Sequence, residues 1–422
     1  MRTTPQDTAR CRFFAPVENA FRDAKSTRSC PEYPDEEHIE SGVGRVIAQA
    51  QSGRDWVQKL RMWMNSRLSV STFFKALKSE RRLRLVEEIA GHVRGQLDDA
   101  TGPAHDPLSI HEELNGFAVY ASDGHYEEAD AHATRQDGKV EAAGYFYSAN
   151  LRSHSLALLD VARPKRKREH DMSVLKRLGS TELRMGEKKG TKVIHVYDPA
   201  GIDYLQWHKW KAKGVYIISR EKANSRAEVI GLNDYDRDDP RNTGILADEL
   251  VGVFAGVMMR RVCYRDPATG KIYSFMTNEM TLPPGLIAFL YKLRWDIEKI
   301  FDEKKNKLGE KKSWAKGALA HSQQAHFACL AHNLMVLFER CLEENEGIRD
   351  TKVEYKREKR AELEAALAKE RGEILNPLVQ QCRRSTQRSL QFIRWLRHCL
   401  WHPTSWSDEV AVLRPLMEGY LQ

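Results

Sequence analysis

Four polar side chains of complementary chemistry share one predicted helix. In the stretch YKLRWDIEKIFDEKKNKLG, Arg294, Glu298 and Lys305 follow Tyr291 at offsets of three, seven and fourteen residues. At about 100° per residue, these side chains fall within an arc of roughly 60°. A carboxylate between cations can bind a divalent metal ion while its neighbours hold phosphates, and phosphoryl transfer needs both. The stripe therefore indicates phosphoryl-transfer chemistry, and the alternative is a solvated helix face with internal ion pairs.

Two upstream aspartates follow runs of strand-forming residues. The run GFAVYAS (116–122) leads into Asp123 and a glycine, and the run KVIHVY (192–197) leads into Asp198 and a proline. We expect each strand to end at its carboxylate, and neighbouring parallel strands to place the two carboxylates side by side in a crevice. An aspartate at a strand end is by itself more often a turn former than a ligand. The combination with Glu298 favours a site built from three carboxylates.

The pattern of Tyr, two residues, Arg, three residues, Glu, six residues and Lys resembles the YREK signature of DDE transposases from bacterial insertion sequences. With the two aspartates upstream, residues from about 110 to 340 resemble the catalytic region of that family. The resemblance implies an RNase H-like fold. It also implies metal-dependent DNA cleavage at transposon ends and strand transfer into target DNA, which together give cut-and-paste transposition.

The same resemblance assigns roles to the candidate residues. Asp123, Asp198 and Glu298 would be the catalytic and metal-binding carboxylates, sharing two Mg²⁺ or Mn²⁺ ions about 3.5–4 Å apart. Arg294 and Lys305 would hold phosphates of the transposon end, and a hydrogen bond from the tyrosine of the signature, Tyr291, would reach the DNA backbone. The expected partners are double-stranded DNA, as terminal repeats and as target, and a second copy of the chain in a homodimer on DNA.

The composition agrees with a DNA-binding enzyme. The 422 residues include 67 Lys and Arg against 59 Asp and Glu, and the resulting net charge of +8 favours polyanionic partners. No apolar run reaches the ~18 residues of a membrane span, and the N-terminus lacks a signal-peptide core. The seven cysteines form no CxxC pair, which argues against a disulfide framework and a zinc site. We therefore expect a soluble, cytoplasmic protein, and the resemblance implies that it is bacterial and associated with DNA.

The order of predicted elements is that of an α/β protein. Two further strands, at 140–147 and 151–161, are expected to run antiparallel to the first. A helix at 172–178, the strand before Asp198, a helix at 202–210 and a fifth strand at 215–219 follow. This order matches the RNase H-like core that the resemblance implies, a mixed five-stranded sheet flanked by helices.

A basic run lies between the two aspartates and is either a solvated loop or a DNA contact. It contains Arg163, Lys165, Arg166, Lys167 and Arg168.

Residues from about 221 to 282 are predicted to form a β-rich insertion, because short alternating runs are separated by turn residues. In the resembling family, such an insertion can supply an aromatic side chain that stacks on a flipped base. This insertion contains no tryptophan. The remaining candidates for that role are Tyr235, Phe254, Tyr264, Tyr273 and Phe275.

The flanks of the catalytic core, itself placed at residues 106–340, are predicted to be helical. Within residues 1–105, a loosely ordered lead-in is expected up to about residue 40, and from about 39 to 97 apolar residues at helical spacing interleave with Lys and Arg. This pattern is typical of a DNA-end-binding domain or of a soluble helical appendage. Residues 341–422 are dense in charge and would serve dimerisation or DNA contact. Two other functions stay open: an RNase H-like nuclease without strand transfer, and a non-catalytic DNA-binding protein derived from a transposase.

Overall fold

A large mixed sheet forms the centre of the protein in the computed structural model, which describes residues 7–64, 66–128, 143–162, 169, 171–378 and 387–419. Its strands are β1 (Phe117–Glu127), β2 (Ala143–Asn150), β3 (Leu156–Val161), β4 (Lys192–Tyr197), β5 (Val215–Arg220), β6 (Glu228–Leu232), β7 (Ile245–Gly252), β8 (Met258–Arg265) and β9 (Ile272–Thr277). Within the described residues, the nine strands lie in the order β3-β2-β1-β4-β5-β9-β8-β7-β6.

Helices cover both faces of this sheet and form the two ends of the chain. They are α1 (Ala9–Asp23), α2 (Asp35–Ile47), α3 (Gly53–Met64), α4 (Val70–Ala76), α5 (Glu80–Asp99), α6 (Asp171–Leu183), α7 (Tyr204–Lys211), α8 (Pro284–Leu293), α9 (Trp295–Asp302), α10 (Ala318–Glu346), α11 (Thr351–Glu370), α12 (Leu390–Trp401) and α13 (Trp406–Glu418). None of the helices in the described ranges is both long and apolar enough to cross a membrane.

The first five strands confirm the predicted α/β class. β1 pairs antiparallel with β2, β2 pairs antiparallel with β3, and β4 and β5 run parallel to β1. This is the strand order expected of an RNase H-like core. The strands of the predicted β-rich insertion join the five core strands in one sheet, because β9 pairs antiparallel with β5 and continues into the meander β8-β7-β6. The β-rich insertion therefore extends the sheet from its open edge at β5.

The first strand is longer than predicted. It does not end at Asp123 but continues to Glu127, since β2 remains paired along this whole segment, from Tyr120 opposite Asn150 to Glu127 opposite Ala143. Pairing with β4 stops earlier, at Ala121. Asp123 is therefore supported on one side by β2 and lies beyond the last β4 pair on the other. Residues 140–142 of the predicted second strand lie outside the described residues.

Alternating residues of the central strands face two different cores. Ile194 and Val196 of β4 pack with α8, α9 and α10 in one core. Tyr197 and Val215 pack with α6 and α7 in the other, where Trp207 is fully buried. Helices on both faces are the usual arrangement around parallel strands, since both sides must be shielded from water. The two layers hold β1, which carries Asp123, and the end of β4, which Asp198 follows.

The signature helix is interrupted, so the single regular helix assumed for the four-residue stripe is wrong. α8 and α9 meet at Arg294, whose backbone N–H bonds to the Tyr291 carbonyl at 3.2 Å. A π-helical turn, Glu303–Lys307, follows α9. In this turn Lys304 is buried, and its ammonium lies 2.5 Å from Glu127 and donates to the Tyr147 hydroxyl at 3.0 Å. The wider turn changes the helical register between Glu298 and Lys305.

The terminal helices brace this region from outside. α1, α2, α3, α12 and α13 share one hydrophobic core with α10. Trp56 of α3 and Trp401 of α12 meet with ring centroids 5.4 Å apart. The buried Arg388 forms an ion pair of 3.1 Å with Glu303 and so fixes the π-helical turn. The domain limits at 105 and 341 stay predictions, while the described residues on either side of them pack into a common core.

Glu310, behind the π-helical turn, gives a pH-dependent test of this packing. Burial, and next the Glu127 carboxylate, raise the pKa of Glu310 to about 7. Between about pH 4 and 7 the unfolded carboxyl ionises while the folded one stays protonated, so Glu310 lowers stability as the pH rises. We expect the free energy of unfolding of Glu310→Gln to match that of the wild type at pH 5 and to exceed it by about 1–3 kcal/mol at pH 8. Urea unfolding at both pH values measures this, and an equal difference at the two would refute the raised pKa.

Candidate active site

Asp123 and Asp198 lie level with each other on neighbouring parallel strands. Ala121 of β1 is opposite Val196 of β4, so the two aspartates occupy equivalent positions two residues further on. The Asp198 carboxylate accepts the backbone N–H of Ala200 at 2.8 Å and caps the short turn after β4. Asp123 accepts the backbone N–H of Gly124 at 2.8 Å. The structure thus brings together the two aspartates that the sequence places at strand ends.

A third carboxylate reaches the same place from α6. Asp171 is the first residue of this helix, and one oxygen each of Asp123, Asp171 and Asp198 lies within 4.8 Å of the others. All three side chains are half-buried. Asp171 is not predictable from the sequence, because an aspartate in the first turn of a helix is common and carries no separate signal. We call these three residues the aspartate cluster.

The aspartate cluster is electrostatically unfavourable without a cation. Burial, and next the charge of Asp198, raise the pKa of Asp123 to about 7, with a smaller contribution from Asp171. Like charges held this close in a partly desolvated place disfavour the ionised form of Asp123. Carboxylate oxygens are the ligands that Mg²⁺ and Mn²⁺ prefer. The donor set therefore fits a divalent metal ion.

Arg294 joins the cluster to Glu298. Its Nη1 donates to Asp123 Oδ2 at 3.2 Å, and its Nη2 donates to Glu298 Oε1 at 2.6 Å. The residue is 9% exposed, and its buried Nε has no hydrogen-bond acceptor among the described residues. The Arg294 guanidinium thus lies between Glu298 and Asp123. Glu298 is not a member of the aspartate cluster, in which the described carboxylate oxygens lie within 4.8 Å of one another.

The other two members of the signature differ in environment. The Tyr291 ring is half-buried against Phe275, with centroids 4.8 Å apart, and Arg294 Cζ lies 5.9 Å from the Tyr291 centroid. Burial raises the pKa of the Tyr291 hydroxyl, which therefore stays protonated as a hydrogen-bond donor. Lys305 is exposed on the π-helical turn. Tyr291, Arg294 and Glu298 thus lie together beside Asp123, while Lys305 faces solvent.

Residues 150–334 match the family model described as a transposase DDE domain. The chain contains a transposase DDE domain. The matched span includes Asp171, Asp198 and Glu298, and begins after Asp123. The match supports DNA transposition and the nuclease and transesterase chemistry of DDE transposases, and it favours neither of the two other functions left open by the sequence.

One solved structure similar to this chain is described as the cryo-EM structure of a piggyBac transposase synaptic complex with hairpin DNA. The match covers 98% of this chain and 83% of that chain, with 12% sequence identity and a TM-score of 0.39. No curated protein matches the sequence significantly.

Transposases of the DDE type use divalent metal ions, and the DDE domain described here has suitable ligands. Asp123, Asp198 and Asp171 are positioned to hold such an ion, and Glu298 lies beyond Arg294. The assignment of Asp123, Asp198 and Glu298 as the catalytic set stays a prediction. The predicted DNA contacts Arg163, Lys165, Arg166, Lys167 and Arg168 lie outside the described residues.

Aromatic residues around the DDE domain differ widely in exposure. Among the five candidates of the insertion, Phe254 is 86% exposed and Phe275 is 3% exposed, while Tyr235, Tyr264 and Tyr273 are half-buried. Trp295, which directly follows Arg294, is 57% exposed. The sequence analysis does not select Trp295, although its place off the apolar stripe of the signature helix is a usable signal.

Proposed function

We propose that this chain is a cut-and-paste transposase, which cleaves DNA at the ends of a transposable element and joins the freed ends to target DNA. The observation that supports this most is the level placement of Asp123 and Asp198, with Arg294 and Glu298 converging on them from the signature helix. We infer that Asp123, Asp198 and Glu298 form the catalytic set when DNA is bound. The YREK subgroup and a bacterial, cytoplasmic origin belong to the same proposal.

The site residues divide the work between metal binding and phosphate binding. A pair of Mg²⁺ or Mn²⁺ ions bound by the carboxylates would supply Lewis-acid activation of the attacking oxygen and stabilisation of the leaving 3′-oxygen. Arg294 has a planar fork of donors suited to a phosphate, and in this arrangement that fork is divided between Asp123 and Glu298. Tyr291 supplies a neutral hydroxyl donor nearby. The protein thus mainly positions groups and neutralises charge.

Further DNA contacts in the proposal come from exposed groups. Lys305 on the π-helical turn can reach a phosphate as a point charge. Trp295 and Phe254 present exposed rings on which a displaced base can stack. The basic run from Arg163 to Arg168 adds positive charge between Asp123 and Asp198 in the sequence. The net charge of +8 favours association with duplex DNA.

Two copies of the chain on DNA are part of the proposal, because cut-and-paste transposition has to bring two ends of one element together. The partners are double-stranded DNA carrying the terminal repeats, double-stranded target DNA, and a second copy of this chain. Sedimentation of the protein with and without end DNA would measure this assembly.

The proposed function is tested with a plasmid that carries the genomic sequence flanking this chain's coding region on both sides. Purified full-length protein, Mg²⁺ and a second, supercoiled target plasmid complete the reaction. We expect release of the flanked segment and a joined product in the target plasmid. The two alternatives predict other results: nicks without joined product for a nuclease, and plasmid binding without any cleavage for a non-catalytic protein. Either result would overturn the proposal.

A further inference from the structure

We propose that Asp171 is the third metal ligand of the DNA-free protein, and that Arg294 keeps Glu298 away from the metal until the guanidinium binds a DNA phosphate instead. The inference rests on the proposed function and adds a residue to the same site. It separates two states: a resting site of three aspartates, and a working site in which Glu298 takes part.

The position of Asp171 supports its part in this site. Its carboxylate is one of the three within 4.8 Å of one another. It is the first residue of α6, so the helix backbone fixes the position from which its carboxylate reaches Asp123 and Asp198. Gly124 makes room for it, since a Cβ atom at that position would lie 3.1 Å from Asp171 Oδ1 and 2.9 Å from the Phe146 ring. The close approach of α6 to β1 thus depends on a glycine beside Asp123.

The state of Glu298 supplies the independent observation. Its carboxylate is occupied by Arg294, which also binds Asp123. The Arg294 guanidinium lies between these two carboxylates, where a metal ion shared by them would have to bind. Arg294 and such a metal ion therefore compete for the Glu298 carboxylate. The aspartate cluster, by contrast, has three oxygens that face each other directly and fits one hard cation.

DNA offers a natural trigger for the exchange. Arg294 is buried with its Nε lacking an acceptor among the described residues, so its donors are only partly used in this arrangement. A phosphate can accept two parallel hydrogen bonds from the guanidinium, as many as Asp123 and Glu298 accept in this arrangement, so Arg294 can exchange its partners without losing hydrogen bonds. Once Arg294 turns to phosphate, the carboxylate of Glu298 is released toward Asp123. Metal binding and DNA binding are thereby coupled.

The test measures Mn²⁺ binding to the full-length protein without DNA, by the loss of the electron paramagnetic resonance signal of free Mn²⁺. We expect Asp171→Asn to weaken the tightest Mn²⁺ site on the order of tenfold, as Asp198→Asn does. Glu298→Gln should change the affinity less than about twofold. Glu182→Gln removes an exposed carboxylate from the same helix and is the matched control. It should leave Mn²⁺ binding unchanged.

Two further variants make the result decisive. Asp171→Ser removes the carboxylate but keeps an oxygen suited to a helix N-terminus, and it replaces Asp171→Asn if that variant melts earlier than the wild type. Arg294→Gln removes the guanidinium that holds Glu298. In this background we expect Glu298→Gln to weaken Mn²⁺ binding, and we expect the substitution of Asp171 to lower the Mn²⁺ affinity less than it does in the wild type. This reversal is a double-mutant cycle between Asp171 and Glu298.

Three outcomes would overturn the inference: no Mn²⁺ binding by the wild type without DNA, no effect of removing Asp171, or equal effects of Glu298→Gln and Asp198→Asn. Each of them leaves the proposed function intact if the plasmid reaction still gives joined product. Failure of the proposed function shows separately, as normal Mn²⁺ binding with no cleavage of any plasmid.

Discussion

Glu298→Gln is expected to abolish metal-dependent DNA cleavage while leaving DNA binding nearly intact. The substitution keeps the size of the side chain and an oxygen that accepts from Arg294, but removes the charge that a metal ion needs. Metal ions contribute several kcal/mol of transition-state stabilisation, and each 1.36 kcal/mol is a factor of ten. We therefore expect the cleavage rate to fall on the order of 10³-fold. Single-turnover cleavage of end DNA with Mg²⁺ measures the rate, and gel mobility shift measures binding.

Asp302→Asn is the matched control for this prediction. It makes the same change of charge on the same helix α9, at an exposed position. The rate should stay within about threefold of the wild type, since surface substitutions away from the site act weakly. If Glu298→Gln cleaves normally and Asp171→Asn does not, Asp171 and not Glu298 is the third catalytic carboxylate.

The position of Asp198 can be predicted from sequence, and β4 has the limits that the apolar run and the following proline indicate. The end of β1 cannot be predicted in the same way. Whether a strand continues past Asp123 depends on its partner, and the residue opposite Asp123 is Tyr147 on β2. Local composition around Asp123 and its glycine favours a turn, but tertiary pairing overrides that preference.

The remaining site residues depend on contacts that periodicity does not contain. Asp171 enters the aspartate cluster because Gly124 lets α6 approach β1, and no pattern within either segment records that approach. The π-helical turn that contains Lys305 also holds Lys304 against Glu127, which is far away in the chain. Regular helical spacing therefore predicts the neighbours Tyr291, Arg294 and Glu298 but not the register of Lys305. The family resemblance implies metal-dependent DNA cleavage, and the structure gives the positions of the carboxylates relative to one another.

A buried ion pair in the insertion positions the signature helix. Arg260 of β8 binds Asp248 of β7 through two hydrogen bonds of 2.8 and 2.6 Å, and both residues are at most 3% exposed. The Arg260 guanidinium also donates to the Leu282 carbonyl at 2.7 Å. Glu279 accepts the backbone N–H of Leu282 at 2.8 Å. These contacts fix the segment directly before α8, so the insertion and the start of the signature helix are held as one unit.

Asp248→Asn is expected to lower the free energy of unfolding by about 3–5 kcal/mol, because it leaves the Arg260 charge buried without its main partner. Replacing both residues, with Asp248→Leu and Arg260→Met together, should cost less than the single substitution, since the Arg260 charge is removed together with its main partner. Glu279, whose carboxylate lies 3.6 Å from the Arg260 guanidinium, keeps its hydrogen bonds from the backbone N–H groups of Thr281 and Leu282. Breaking the partly exposed Arg414–Glu418 pair with Glu418→Gln is the control and should cost at most about 0.5 kcal/mol. Urea unfolding compares the three. A double variant less stable than Asp248→Asn would show that the Arg260 contact to Leu282, rather than the pairing of charges, holds α8 in place.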